Sequence, residues 1–193
     1  MIPHLTPARV VLRVGCGVVS LVPDQVDILI VAAHPPALGG LRTALGEHLY
    51  GVLRDLRVIA KTVGIGGAVA SAQTTRRVLQ VSPRSVIEIG ACGAYPGLGF
   101  EPSDLVVGSR VELLDSNVSL GRSAFPEPMQ TVFETNAMLS EGIAASIGAS
   151  ARRGIVGCPP STTRYTALAQ GYHTQHQCVV ESLEAFSIAS ACA

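Results

Sequence analysis

The chain has no tryptophan and a single lysine, Lys61, against thirteen arginines. Aromatic residues fill only 4% of its 193 positions, too few rings for a platform on which single-stranded nucleic acid would stack. Charge is also sparse, at 15%, and fourteen basic side chains are cancelled by fourteen acidic ones. A chain without net charge sets up no field that gathers nucleic acid or an anionic membrane, so neither is expected as a partner. Cysteines are few and unpatterned: Cys16, Cys92, Cys158, Cys178 and Cys192 are odd in number, irregularly spaced and contain no C-x-x-C pair. That excludes a disulfide framework and gives no zinc signature, so reduced, buried thiols of a cytoplasmic protein are expected, with no metal or cofactor.

Long hydrophobic runs are missing as well. Val10 to Val22 is apolar apart from Arg13 and Ser20, yet it is too short to span a bilayer and is interrupted by Gly15 and Gly17. Pro23-Asp24-Gln25 offers no small-residue cleavage site, so the stretch does not read as a signal peptide. Residues 1–25 are expected to form an N-terminal extension, as an added strand or a loosely packed segment, ahead of one domain over 26–193.

What is present is a 48% hydrophobic chain with twenty glycines at its joins. Val26 to Ala33 (VDILIVAA) is a continuous apolar run, as suits a parallel strand buried on both faces, and Pro35-Pro36 ends it. Leu38, Leu41, Leu45, Leu49 and Leu53 then recur at helical spacing and predict an amphipathic helix. Val58 to Val63 predicts a second strand. A helix carrying Ala68, Ala72, Thr75 and Leu79 on one face follows the Gly64-Ile65-Gly66-Gly67 turn. Ser85 to Gly90 and Leu105 to Val111 predict two more strands, Ala137 to Ile147 a helix, Arg153 to Cys158 a strand, and Val179 to Glu181 a short one before a small-residue helix. Glu112 to Met129 reads as a long loop. Strands and helices alternating through short glycine-rich joins make an α/β fold with a mainly parallel sheet.

Ligands of open α/β sheets sit at the carboxyl ends of the strands. Gly64-x-Gly66 alone is a poor dinucleotide fingerprint: the third glycine position is Val69, and Glu88 lies inside the next strand instead of at its end. A dinucleotide-dependent enzyme is therefore disfavoured. Cys92 could act as a nucleophile at its strand end, but no histidine lies near it in sequence, and an inert core thiol is the simpler reading. The carboxylates of Glu181 and Glu184 are more informative. Their spacing leaves two readings open, stabilisation of a helix N-terminus or a grip on a diol.

Four segments together resemble the nucleoside phosphorylase and nucleosidase superfamily: VDILIVAAHPPALGGL, VGIGGAVASAQTT, SVIEIGACGAYPGLGFEPSDLVVGS and VVESLEAFSIASACA. They come in the family's order over Val26 to Ala193. The third is the most specific, matching strand, turn and next strand at once. The fourth is similar to the family's E-x-M-E-(A/G) motif, with Leu183 in place of Met. The resemblance is closest to the hydrolytic branch, the futalosine hydrolases of menaquinone synthesis and the methylthioadenosine/S-adenosylhomocysteine nucleosidases. It implies a three-layer α/β/α sandwich with a central, mainly parallel mixed sheet, cleavage of a purine-type N-glycosidic bond and a homo-oligomer, dimer or higher.

On that resemblance Glu184 hydrogen-bonds the ribose hydroxyls, Leu183 packs under the sugar, and Ser182 stands between the two carboxylates. Ala91, Cys92 and Gly93 line the wall beside base and ribose, and Thr162 belongs to the base-binding loop Pro159 to Thr163. Where the phosphorylases carry a phosphate-binding arginine, this chain has Glu88, which is expected to repel phosphate and so implies water as the attacking group. Where the nucleosidases carry a water-activating glutamate, it has His34-Pro35-Pro36-Ala37; His34 could serve as the base or be structural. The family continues past the Glu184 helix into a strand whose end carries an Asp or Asn, and in the Asp-bearing members that acid protonates the leaving purine. With the sequence ending at Ala193, that part is expected to be missing. The readings are thus a nucleosidase, a phosphorylase using phosphate, or a catalytically impaired member that binds nucleosides or serves a structural role.

Overall fold

The computed structural model describes the backbone of residues 7–14 and the whole of residues 25–193. Cys16 and most of the apolar stretch up to Val22 lie outside the described residues. Nine strands form one mixed sheet among the described residues. They are β1 (Pro7–Val14), β2 (Ile28–Ala32), β3 (Tyr50–Leu53), β4 (Leu56–Thr62), β5 (Ser85–Ala94), β6 (Leu105–Leu113), β7 (Val132–Glu134), β8 (Ala151–Cys158) and β9 (Cys178–Glu181). Helices α1 (Arg42–Leu45), α2 (Gly67–Val81), α3 (Ser116–Ser119), α4 (Ala137–Ile147), α5 (Thr166–His176) and α6 (Ala185–Cys192) connect them.

The apolar run from Val26 packs on both faces, as its composition requires. Leu29 and Val31 join Ala70 of α2 and Ile188 and Cys192 of α6 in one cluster. Ile28, Ile30 and Ala32 face Leu38 and Leu45 on the opposite side. Successive strand residues point to opposite faces, so one five-residue strand feeds two cores. Helices α2 and α6 therefore cover one face of the sheet. The other is covered by α1, with the 3₁₀ turn Pro35–Leu41 before it, and by α5, whose Ala169 and Tyr172 pack on Tyr95 and Cys178. This is a three-layer α/β/α sandwich.

Strand β5 organises the sheet. Its first half runs parallel to β2, with Val31 opposite Glu88, and its end turns to pair antiparallel with β9 at Gly93 and Ala94. Strand β1 runs antiparallel along β5, from Pro7 opposite Gly93 to Val14 opposite Val86, and parallel to β6. The pairings β1–β6, β6–β8, β8–β9, β9–β5 and β5–β1 therefore close on themselves. Strands β2, β4 and β3 extend from this closed part as an open wing.

Two expectations are corrected. The leucine series after Pro36 is not one helix: α1 stops at Gly46, whose φ of +72° is a left-handed conformation, and Tyr50–Leu53 is a strand paired antiparallel with β4. A spacing of four places residues on one face of a helix and equally on one face of a strand, so Leu49 and Leu53 still reach the core that holds Leu38 and Leu45. In α2 the Ala68, Ala72, Thr75 and Leu79 stripe faces outward, and Ala70 and Thr74 are the buried residues. Helix α5 and the short α3 are additions that no periodicity announced.

Candidate active site

A cleft of about 540 Å³ opens where the ends of β2 and β5 meet the start of α6. Its apolar wall comes from Ala33, Pro36, Ile65, Ile89 and Leu105, and its carboxyl groups are those of Glu88 and Glu184. No arginine or lysine lines it among the described residues.

Glu184 stands at the N-cap position of α6, where an acidic side chain ordinarily binds the first free N–H groups. It does not do so here. The Ser182 hydroxyl accepts instead from the N–H groups of Glu184 (3.3 Å) and Ala185 (3.2 Å). The Glu184 carboxylate turns across the cleft floor and its Oε1 accepts from the Gly66 N–H at 2.8 Å. Its Oε2 has no hydrogen-bond partner among the described residues, so a buried carboxylate presents an open acceptor to the cleft. Between helix capping and ligand capture, which the spacing left open, the geometry gives the first to Ser182 and frees Glu184.

The glycine turn that holds this carboxylate is explained by backbone needs. Gly66 has φ of +89°, a conformation that L side chains rarely adopt, and this aims its N–H at Glu184. A Cβ on Gly67 would lie 2.6 Å from the Ser187 hydroxyl, so the glycine permits α2 to start hard against α6.

Glu88 projects from the middle of β5 into the same cleft. It is buried, its Oε2 is inaccessible, and neither oxygen has a hydrogen-bond partner among the described residues. Burial, with the Glu184 charge adding to it, pushes its carboxyl up to about 8. Near neutrality the group is therefore mostly protonated, and the anionic repulsion of phosphate expected of it is muted. Glu181 serves another purpose. Its Oε1 accepts from the Thr163 N–H at 3.0 Å, tying the loop after β8 to β9, and burial raises its pKa.

Of the residues singled out from sequence, His34, Glu88, Ala91, Ser182 and Glu184 come together around the cleft. His34 is exposed at the rim, preceding the 3₁₀ turn, and its ring has no hydrogen-bond partner among the described residues. The others lie elsewhere. Cys92 packs in the core with Val106, Val156 and Val180, and Gly93 is a pairing residue opposite Glu181. Leu183 is half-buried, its carbonyl oxygen 3.7 Å from where a Cβ on Gly67 would sit, and Thr162 is exposed in its loop. Sequence reasoning missed the Gly66 N–H as a site group, and although it put Glu88 at the position of a phosphate-binding arginine, it did not foresee that this carboxyl is buried and raised in pKa. The signal for Glu88 was there, as an acid inside the apolar run SVIEIG.

No protein-family model matches the chain, and no curated protein sequence matches it. Its fold is shared with solved nucleosidase structures at 20% identity or less. The 5′-methylthioadenosine/S-adenosylhomocysteine nucleosidase of Neisseria meningitidis, in complex with methylthio-immucillin-A, is similar with a TM-score of 0.73 and 20% identity, over 86% of this chain and 79% of that one. The Helicobacter pylori enzyme of the same name, with butyl-thio-DADMe-Immucillin-A, gives a TM-score of 0.74 at 17% identity, over 87% and 79%. Futalosine hydrolase of Helicobacter pylori gives 0.73 at 17%, over 86% and 78%.

Proposed function

We propose that the chain is a nucleosidase that cleaves the N-glycosidic bond of a purine-type nucleoside with water, its ribose held by Glu184. The observation that carries this reading is the freed Glu184 carboxylate: buried at the cleft floor, relieved of capping by Ser182, and with Oε2 open to hydroxyl donors. A carboxylate accepts two hydroxyls at once, which suits the 2′,3′-diol of a ribose. The apolar wall of Ile65, Ile89 and Leu105 suits a planar base or an alkylthio substituent. Water is favoured over phosphate because no arginine or lysine lines the cleft among the described residues, so an anion has no side-chain cation to meet.

The ligands bound to the similar nucleosidases support an adenosine-like substrate, such as methylthioadenosine, and futalosine is the second candidate. The futalosine assignment would connect the protein to menaquinone synthesis. Assembly as a homo-oligomer in the cytoplasm belongs to the same reading. Among the described residues, no helix is long and apolar enough to cross a membrane. Calorimetry with methylthioadenosine tests the site: the wild-type chain binds, and Glu184→Ala weakens binding at least about 30-fold, the loss of two charge-assisted hydrogen bonds. Equal affinity of both forms would remove Glu184 from the site. Binding without cleavage would favour the nucleoside-binding role over the enzyme.

A further inference from the structure

Glu88 has no task in ribose binding, yet it is the most unusual group in the cleft. It is a carboxyl 6% exposed, on a central strand, with neither oxygen hydrogen-bonded among the described residues and Oε2 wholly inaccessible. Buried polar groups of native proteins almost always find partners, so an unpaired carboxyl whose other oxygen, Oε1, is not enclosed in this way calls for a water or a ligand atom there. Glu88 lines the same cleft as Glu184 and is near enough to feel its charge. A sugar held on Glu184 therefore lies beside Glu88.

Resting on the hydrolytic reading above, we propose that Glu88 is the general base, taking a proton from the water that attacks the anomeric carbon of the ribose. The C–O bond forms as the water's proton passes to the Glu88 carboxylate. The C–N bond breaks, and its electron pair leaves on the base nitrogen. The departing base takes a proton from solvent and Glu88 later returns its own, so the sum is one water consumed. Cleavage of glycosidic bonds by paired carboxyl groups follows the same logic, one holding or stabilising the sugar and the other moving the proton. His34 is the competing base, but it stands exposed at the rim with no group to orient its ring among the described residues.

The groups facing Glu88 set its pH dependence. Among the described residues they are Glu184 at the start of α6 and Cys158 at the end of β8, with His34 on the rim of the same cleft. The strand residues opposite it are Leu12 on β1 and Val31 on β2, neither of which titrates. With the carboxyl pushed up to about 8, only a minor fraction is ionised at neutrality. A base of this kind makes kcat/KM climb roughly tenfold per pH unit below that value and level off above it.

The test is purine release by the intact chain from pH 6 to 9, in wild type and in the near-isosteric Glu88→Gln. Expected are the rising limb in the wild type and a kcat fall of about 100-fold or more in the variant, with methylthioadenosine affinity kept within a few-fold. A second readout needs no turnover: affinity for a nucleoside analogue with a protonated pyrrolidine in place of the ribose ring. It should rise with pH in the wild type and lose that rise in Glu88→Gln. Wild-type release with undiminished kcat in Glu88→Gln, or without the rising limb, would overturn the role of Glu88 and leave the nucleosidase reading standing. No release by the wild type would take down the hydrolytic reading and the general base together.

Discussion

Two side chains two residues apart divide the work at the start of α6. Ser182 satisfies the backbone, and Glu184 is thereby available to the cleft. Ser182→Ala should cost about 1 kcal/mol, the usual value of an N-cap, seen as a melting temperature lower by about 2–4 °C. It should also weaken nucleoside binding, because Glu184 becomes the nearest acceptor for the exposed helix N–H groups. A stability loss with unchanged binding would show that capping and capture are independent. The role split could not be read from spacing: both residues are acceptors near a helix start, and only the placement of Gly66 separates them. Glu88 was visible as an acid in an apolar strand, but its protonation depends on burial and on Glu184, a partner 96 positions away in the chain.

Elements were legible where only one period fits the pattern. The runs of β2, β4, β5 and β6 have the apolar continuity of strands buried on both faces, and they appear as strands. The leucines from Leu38 to Leu53 fit both periods, and the chain uses a short helix followed by a strand. The outward stripe on α2 shows the same limit, since small residues mark a helix without marking its buried side. Strand β8 carries a further constraint that sequence does not disclose. A Cβ on Gly154 would lie 2.2 Å from Val179 Cγ2, and a β-branched valine has little freedom to turn away. Gly154→Ala should therefore lower stability by about 1–3 kcal/mol in urea unfolding, and a neutral result would mean that β9 shifts freely. Ser82, which ends α2 in a left-handed conformation at φ +41°, points the other way. Ser82→Gly should raise stability by up to about 1 kcal/mol, measured by the same unfolding curves.

At the scale of the molecule, the closed part of the sheet and the open wing meet at β5, and the cleft lies beside that junction. The fold class and the order of the motifs were legible in the sequence. The closure through β1 was not, because it depends on pairings far apart in the chain. Burying Glu88 has a global consequence. The folded chain keeps its proton up to about pH 8, whereas the unfolded chain loses it near the ordinary value of 4.5. Between these limits the native state binds more protons, so this group makes stability fall as pH rises, on the order of 1 kcal/mol per unit, and level off above about 8. Urea unfolding of wild type and Glu88→Gln at pH 5.5 and 8 checks this. The difference between the proteins should change across the range in that direction, and a constant difference would argue that Glu88 is already ionised when folded.

The central claim is that the cleft cleaves nucleosides while Glu184 holds the sugar. Its most direct measurement is chromatographic detection of free adenine or hypoxanthine from methylthioadenosine, S-adenosylhomocysteine and futalosine, with the wild-type chain beside Glu184→Ala. The account predicts release from at least one of the three, reduced about 100-fold or more by the substitution. Release no faster than without protein from all three, or release untouched by Glu184→Ala, would contradict it.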